Sequence, residues 1–407
     1  MSETTPRKAP TDRPSASPRR VLSDDLLKTL HSRAAGYDRD NRFFAEDLEE
    51  LREAGYLRAA IPEEQGGLGL TLAEVNLEQR RLAYWAPSTA LGLTMHLYWT
   101  GPAGERARAG DTSLDWLVEE IVAGKVLAAG HGEPGNDTAL DDSLTVAVPV
   151  DGGYLISGHK IFTSLSPAWD WLGIHARDDS DPDHPKIVHA FVSRDAGGVR
   201  TVETWDTLGV RATASHDTYL DDVYVPFERV VGVNDVGAVP GEYVAGIFPW
   251  VLPLLGNVYL GIGRRAVDVA LDAARERTAL SLGGAAVATK PFVQYHAAEA
   301  ELVLEGATAQ LDELTNGLSA GVDYGERALL RLFAAKENGT RAARTATDLA
   351  LEIAGAGSIH KRNELERLYR DVRAGAFHPP NSDTVRDYIG RWALGLLPGP
   401  VVGGIGN

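Results

Sequence analysis

The hydrophobic period of this chain changes twice, and that double change restricts its fold more than any single motif. From Val21 to about Leu127 apolar residues recur at helical spacing, and from Ala128 to about Pro240 they fall into short runs separated by Gly, Asp and Pro. Alternation of that kind marks half-buried strands. From Gly241 onward the helical period returns. The order predicts an α+β multidomain protein, with an N-terminal α-helical domain over 21–127, a central β-barrel or sandwich domain over 128–240 and a C-terminal four-helix bundle over 241–397. Residues 1–20 and 398–407 read as tails; the first is rich in Pro, Ser and Arg, lacks an apolar segment, and is expected to be disordered.

Within the first block, Ser23 is placed to cap a helix carrying Leu26, Leu27 and Leu30, and a second segment through Leu48 and Leu51 stops at Gly55. Leu72, Val75 and Leu82 belong to a further helix, and Trp99 to Gly104 reads as closing a bend. In the last block Leu255, Val258, Tyr259, Ile262, Ala266, Val269, Ala270 and Ala273 form one apolar stripe. A second stripe runs from Leu330 to Ile353 and a third from Val385 to Leu396. Stripes this wide leave surface for subunit contacts, so a homo-oligomer, dimer or tetramer, is expected.

Composition removes several classes of function. A net charge of -17 argues against nucleic acid or an anionic membrane as the main partner. No run is read as approaching the ~20 apolar residues of a membrane span. The absence of Cys excludes disulfides, thiolate metal sites, iron–sulfur clusters and a Cys nucleophile, and fits a cytoplasmic location. No metal site is expected: the acidic loop Arg177 to Lys186 lacks EF-hand spacing and reads as a solvated hairpin tip. The glycines of AAIPEEQGGLGLTLAEV lack the Gly-Lys-Ser/Thr of a phosphate loop.

The stretch from Gly152 to Ala176 reads as a hairpin: strand Tyr154–Ile156, a turn at Ser157-Gly158, and a second strand from His159 to Ser164 that ends before Pro167. It carries Phe162 beside the hydroxyls of Thr163, Ser164 and Ser166. Alone it fits a sandwich core with an exposed turn. Its place between helical blocks, downstream of the loop His131-Gly132-Glu133-Pro134-Gly135-Asn136-Asp137, resembles the middle domain of the acyl-CoA dehydrogenase superfamily. The resemblance covers nearly everything after residue 21. Pro62-Glu63-Glu64 with Gly66-Gly67-Leu68-Gly69 resembles the family's N-terminal loop, and Leu208 to Pro226 its Gly-x-Arg…Val-x-Val-Pro signature. Glu352 to Ser358 and Leu365 to Arg373 resemble its Gln-x-x-Gly-Gly and Arg-Asp segments.

The resemblance implies a flavin: FAD, or reduced FMN or FAD supplied by a flavin reductase. His131 and Gly132 then fall at the flavin pyrimidine, and Phe162, Thr163 and Ser164 on the strand against the isoalloxazine. Arg277 falls where the family reaches the flavin pyrophosphate of a neighbouring subunit, with Gln294, Glu352, Gly355 and Asn381 at further cofactor-contacting positions.

The departures bear on the reaction. A dehydrogenase of this family needs a carboxylate to take the α-proton as hydride passes to the flavin. In most members that Glu follows the Arg-Asp segment; here the loop is Phe377-His378-Pro379-Pro380-Asn381 and the position falls on Pro379, which loses the base and the backbone N–H together. The alternative family position falls near Val251, and no acid lies between Tyr243 and Ala266. Arg370 to Pro380 instead resembles the C-terminal loop of the dibenzothiophene monooxygenase-like, reduced-flavin branch, which places His378 on an active-site His. Lys160 to Ser164 likewise resembles that branch's hairpin, with Phe and Ser where dehydrogenases have Trp and Thr, which implies a Ser164 hydroxyl beside the flavin. As an ordinary loop residue His378 would only cap a carbonyl, and Ser164 would be a turn hydroxyl. The first expectation is a reduced-flavin, oxygen-using monooxygenase acting on a small organic substrate. The second is a dehydrogenase of an acyl-CoA or acyl-carrier thioester, and the third a catalytically inactive binding protein on the same scaffold.

Overall fold

The computed structural model describes residues 19–137, 140–238 and 240–397; apart from Arg19 and Arg20, the tails expected at 1–20 and 398–407 lie outside the described residues. The first block forms α1 (Asp24–Arg39), α2 (Ala45–Glu53), α3 (Leu72–Trp85), α4 (Pro87–Arg108) and α5 (Asp115–Val122). Ser23 caps α1, its Oγ accepting from the Leu26 N–H at 3.1 Å, and Asp24 and Asp25 lie where the helix dipole favours negative charge. Thr71 and Glu74 close a reciprocal capping box on α3. The bend expected at Trp99 to Gly104 is absent: those residues continue α4 through Pro102. Every residue from Leu97 to Gly104 is buried, so tertiary packing holds a helix that proline alone would interrupt.

The central block forms β1 (Leu127–Gly130), β2 (Val146–Val150), β3 (Gly153–Thr163), β4 (Trp171–Asp178), β5 (Lys186–Ser193), β6 (Val199–Val202), β7 (His216–Pro226) and β8 (Val230–Asp235). They make one sheet in the order β6-β7-β3-β2-β4-β5-β8, with β1 parallel to β4. The expected hairpin at Ser157-Gly158 is instead a bulge inside one continuous strand, where the register of β3 against β7 shifts between Ile156 and Gly158. Gly158 is required there because a Cβ would lie 2.3 Å from Thr145 Oγ1. That local sequence is legible either as a turn or as a close strand approach, and packing chooses the second. The loop from Arg177 to Lys186 does join two antiparallel strands, β4 and β5.

The last block forms α6 (Glu242–Ala245), α7 (Ile247–Glu276), α8 (Pro291–Ser319), α9 (Ala328–Ala354), α10 (Glu364–Arg373) and α11 (Ser382–Ala393). From the predicted α7 stripe Leu255, Val258, Tyr259, Ile262, Ala266 and Ala270 are all buried. The helix packs on α9, α8, α3 and α4, tying the bundle to the N-terminal domain. Residues Glu242–Glu276 are long and apolar enough by length and composition to cross a membrane, contrary to the expectation from the sequence. Most of that apolar window, 78%, is buried inside the protein, as befits the central helix of a bundle.

Candidate flavin and active site

The site begins where β1 ends. Gly132 bridges to Ile161 on β3, accepting the Ile161 N–H at 2.8 Å. A Cβ at Gly132 would sit 2.7 Å from the Ile161 carbonyl oxygen, so only glycine permits the approach. The bridge brings His131 and Gly132 alongside the end of β3, where Phe162, Thr163 and Ser164 follow. Phe162 is in the left-handed region (φ 58°). The residue is 64% exposed, and its ring meets Trp205 edge-on at 6.1 Å.

Beneath this wall lies an ion pair that sequence reasoning missed. Lys160 and Glu133 are both buried, and Lys160 Nζ donates to Glu133 Oε1 at 2.6 Å and to the His175 carbonyl at 2.8 Å. The Glu133 carboxylate also accepts from the Thr145 and Leu144 amides and from the hydroxyls of Ser143 and Thr145, all within 2.9 Å. Burial opposes its ionisation, but the ammonium and this shell of donors outweigh it and hold the carboxyl well below the usual range. A lysine at a core-facing strand position, 27 residues after a loop glutamate, was the available signal.

Hydroxyls extend from the wall toward the bundle. Ser164 Oγ and Ser215 Oγ are 2.8 Å apart, Ser215 Oγ and Thr213 Oγ1 are 2.7 Å apart, and Thr213 donates to the Val210 carbonyl at 2.9 Å. The Val210 amide in turn donates to Asp371 Oδ1, on α10, at 2.6 Å. His378 follows α10 in the loop before α11. Its imidazole lies 5.7 Å from the Tyr259 ring, centroid to centroid. The residue is half-buried as a whole, yet its Nε2 is sealed from solvent with no hydrogen-bond partner. Burial and, secondarily, the Lys336 ammonium push its pKa down to about 3, so the ring is neutral at pH 7, with one N–H donor and one lone pair. Asp371 is pushed up to about 6, chiefly by burial, against the opposing pull of Arg367.

A second group lies elsewhere. Arg277, at the end of α7, donates to the carbonyls of Ile353 (3.3 Å) and Ala354. Gly355, at φ 75°, leaves room for that guanidinium, since a Cβ would be 2.8 Å from Arg277 Nη1. Glu352 pairs with His296 at 3.2 Å, and Gln294 Nε2 donates to the Ala288 carbonyl at 3.2 Å. Arg277 is eighteen residues along α7 from Tyr259, roughly 27 Å of helix, so one chain does not bring this group to His378. Asn381 is engaged as the N-cap of α11, its Oδ1 accepting from Asp383 and Thr384 at 3.0 and 2.9 Å.

The residues present fit a flavin. His131 Nε2, Thr163 Oγ1, Tyr259 OH and His378 Nε2 are among the buried polar atoms without a protein partner, and a flavin along this wall would offer them one. No carboxylate pairs with Arg277 among the described residues, which leaves its charge available to a phosphate.

A helical domain, a β-domain and a helix bundle around such a wall define a flavin-dependent oxidoreductase. The chain belongs to the acyl-CoA dehydrogenase family: the family's N-terminal domain matches residues 19–103, its middle domain 128–223 and its C-terminal domain 254–382. It is 33% identical to a Bacillus subtilis protein described as putative acyl-CoA dehydrogenase YdbM, over 89% of this chain and 92% of that one. It is 30% identical to L-evernosamine nitrososynthase of a Micromonospora species, over 91% and 88% of the two chains. Identity to dibenzothiophene monooxygenase of Rhodococcus qingshengii is 26%, over 93% and 94%. Among solved structures, KijD3 in complex with FMN and an amino-keto dTDP-sugar superposes with a TM-score of 0.79 at 29% identity, covering 92% of each chain. A dibenzothiophene monooxygenase is thus among the relatives.

Proposed function

We propose that this protein is a reduced-flavin, oxygen-using monooxygenase of a small organic substrate. When bound, the reduced flavin supplies two electrons to O2, one oxygen atom entering the substrate and the other leaving as water. The observation that carries the reading is the His378 imidazole, neutral, sealed at Nε2 and unpartnered beside Tyr259, with proline rather than glutamate next to it. A neutral imidazole both donates and accepts, so it can hold a proton at an oxygen atom and return it. Ser164 adds a hydroxyl from the β-domain, held by hydrogen bonds through Ser215 to Thr213. On this reading His131, Gly132, Phe162, Thr163 and Ser164 line the isoalloxazine. Arg277, Gln294, Glu352 and Gly355 hold the phosphate of a flavin in a neighbouring copy of a homodimer or homotetramer. A flavin reductase supplies the reduced cofactor, and a cytoplasmic location is the setting such a partnership needs.

Dehydrogenation of an acyl thioester is the second reading. It is favoured by the description of the Bacillus relative and by Asp371, a buried carboxylate whose Oδ2 has no hydrogen-bond partner. Anaerobic mixing of the flavin-loaded protein with butyryl-CoA and octanoyl-CoA separates the two. No bleaching is expected, and rapid bleaching by either thioester would overturn the monooxygenase reading. In air, with reduced FMN supplied, His378→Ala is expected to raise hydrogen peroxide release while FMN affinity changes less than about twofold. Its cost to oxygenation should be about 10²–10⁴-fold, the usual size of a proton-transfer contribution.

A further inference from the structure

Lys336, named so far only for its charge beside His378, is fully buried, at 0% exposure, on α9. A buried ammonium needs partners for its three N–H groups. All three go to one short loop: Nζ donates to the carbonyls of His378 and Pro380 at 2.9 Å each and to the Gly375 carbonyl at 3.5 Å. The neighbouring carboxylate does not compete for it. Glu337 is turned toward α11, where it accepts from Ser382 Oγ at 2.9 Å and from Arg386 at 3.2 Å. Lys336 is therefore a cation anchored to a rigid helix and spent on the backbone of the segment that carries His378.

The rest of that loop has few ties of its own. Phe377, the residue before the histidine, is 78% exposed. Asn381, after the two prolines, is committed to capping α11. Pro379 and Pro380 contribute no N–H to hold the turn. The opposite side of the loop rests on α7, where Gly375 lies against the Tyr259 ring, a Cβ at Gly375 being only 3.1 Å from it. Removing the Lys336 donors would take that partner from three carbonyls, one buried and two part-buried, and would favour movement of the loop toward water.

We infer that Lys336 is a positioning residue for His378, fixing the imidazole against Tyr259 through the backbone carbonyls of Gly375, His378 and Pro380. The inference rests on the monooxygenase reading, in which His378 manages the proton. The ammonium also has an electrostatic effect on the ring. It works with burial to keep the imidazole neutral, while burial, opposed by Glu337 and reinforced by Arg344, lowers the ammonium itself to about 8. A loop that drifted outward would lose both the aim of the ring and its neutrality.

The test is a double-mutant cycle on the full chain with saturating FMN. Peroxide released per reduced FMN reoxidised in air is measured for the wild type, His378→Ala, Lys336→Met and the double variant. Lys336→Met is expected to raise peroxide release about as far as His378→Ala does, and to add less than about twofold when His378 is already absent. Lys336→Arg, which keeps a cation and N–H donors, should restore most of the difference. Amide exchange of the 374–381 segment in the flavin-free chain is the second readout, and should quicken about tenfold or more in Lys336→Met but not in Lys336→Arg. If Lys336→Met does not fold, Lys336→Gln, with two N–H donors and no charge, takes its place in both measurements. An equal rise in peroxide in both backgrounds, or unchanged exchange, would overturn the inference and make Lys336 a packing residue only. A wild-type peroxide yield in His378→Ala would instead sink the monooxygenase reading, and exchange would still report whether Lys336 holds the loop.

Discussion

The backbone N–H of Val210 donates to the carboxylate of Asp371 at 2.6 Å, joining the β-domain's hydroxyl chain to the helix bundle. Asp371 is 1% exposed and its pKa is raised to about 6, first by burial. A carboxyl whose folded pKa lies above its unfolded value stabilises the fold fully only below the unfolded pKa, near 3.9, and that contribution is lost as pH rises through 6. Asp371→Asn keeps an acceptor for Val210 and removes the titration. Relative to the wild type, the Asn variant should therefore gain stability between pH 4 and 7, by about 3 kcal/mol at most for a shift of roughly two units. Urea midpoints at the two ends of that range check it, and a constant difference would remove Asp371 as the titrating group.

The Glu133–Lys160 pair behaves in the opposite sense. Its partners are so complete that removing one member leaves the other as a buried, uncompensated charge. Lys160→Met is expected to destabilise by about 3–5 kcal/mol and to disturb the end of β3 that carries Phe162 and Thr163. Glu133→Gln with Lys160→Met, which removes both charges, should recover much of that loss. Thermal unfolding of the three variants checks the ordering. A single mutant as stable as the double would mean that solvent reaches the pair.

The three-block architecture was legible because hydrophobic period depends on the chain alone, and the caps at Ser23 and Thr71 are local chemistry. Motif resemblance singled out the Gly132 and Ser164 segments, and the structure shows the contacts that bring Gly132 against β3. What could not be read were features set by packing between distant segments. Ser157-Gly158 has the composition of a turn, and only the approach of Thr145 makes it a bulge. Lys336 lies at a helical position like many solvated lysines. Its burial follows from how α9 meets the 375–380 loop, and residue spacing carries no trace of that.

Acid should unfold this protein through its buried histidines. His96, His175 and His189 have pKa values pushed down by burial to about 4, 3 and 4. A depressed histidine pKa means that the unfolded chain binds protons the fold refuses, so stability falls as pH drops through the unfolded value near 6.5 toward 3–4. His175 and His189 stack at 6.2 Å in the β-domain, so protonating one opposes protonating the other. His175→Asn should flatten the loss of stability between pH 6 and pH 4. Unfolding midpoints measured across that interval check it, and an unchanged slope would exclude His175 as a contributor.

The last prediction concerns Arg277, whose guanidinium cradles carbonyls at the end of α9 roughly 27 Å along α7 from Tyr259. If it serves the flavin of a neighbouring copy, Arg277→Ala should weaken FMN binding about 10–100-fold, the size of a charged hydrogen bond or two, and leave the chain's own fold intact. The neighbouring-copy arrangement has a sharper consequence. Gly132→Ala places a Cβ 2.7 Å from the Ile161 carbonyl oxygen and should spoil the proposed isoalloxazine wall of its own chain. Oligomers that mix Arg277→Ala chains with Gly132→Ala chains then contain some sites with an intact wall and an intact arginine from different copies. Flavin fluorescence quenching on co-refolded mixtures should recover a fraction of wild-type affinity that neither variant shows alone. Should the mixtures bind no better than the parents, Arg277 would belong to the flavin of its own chain or to none.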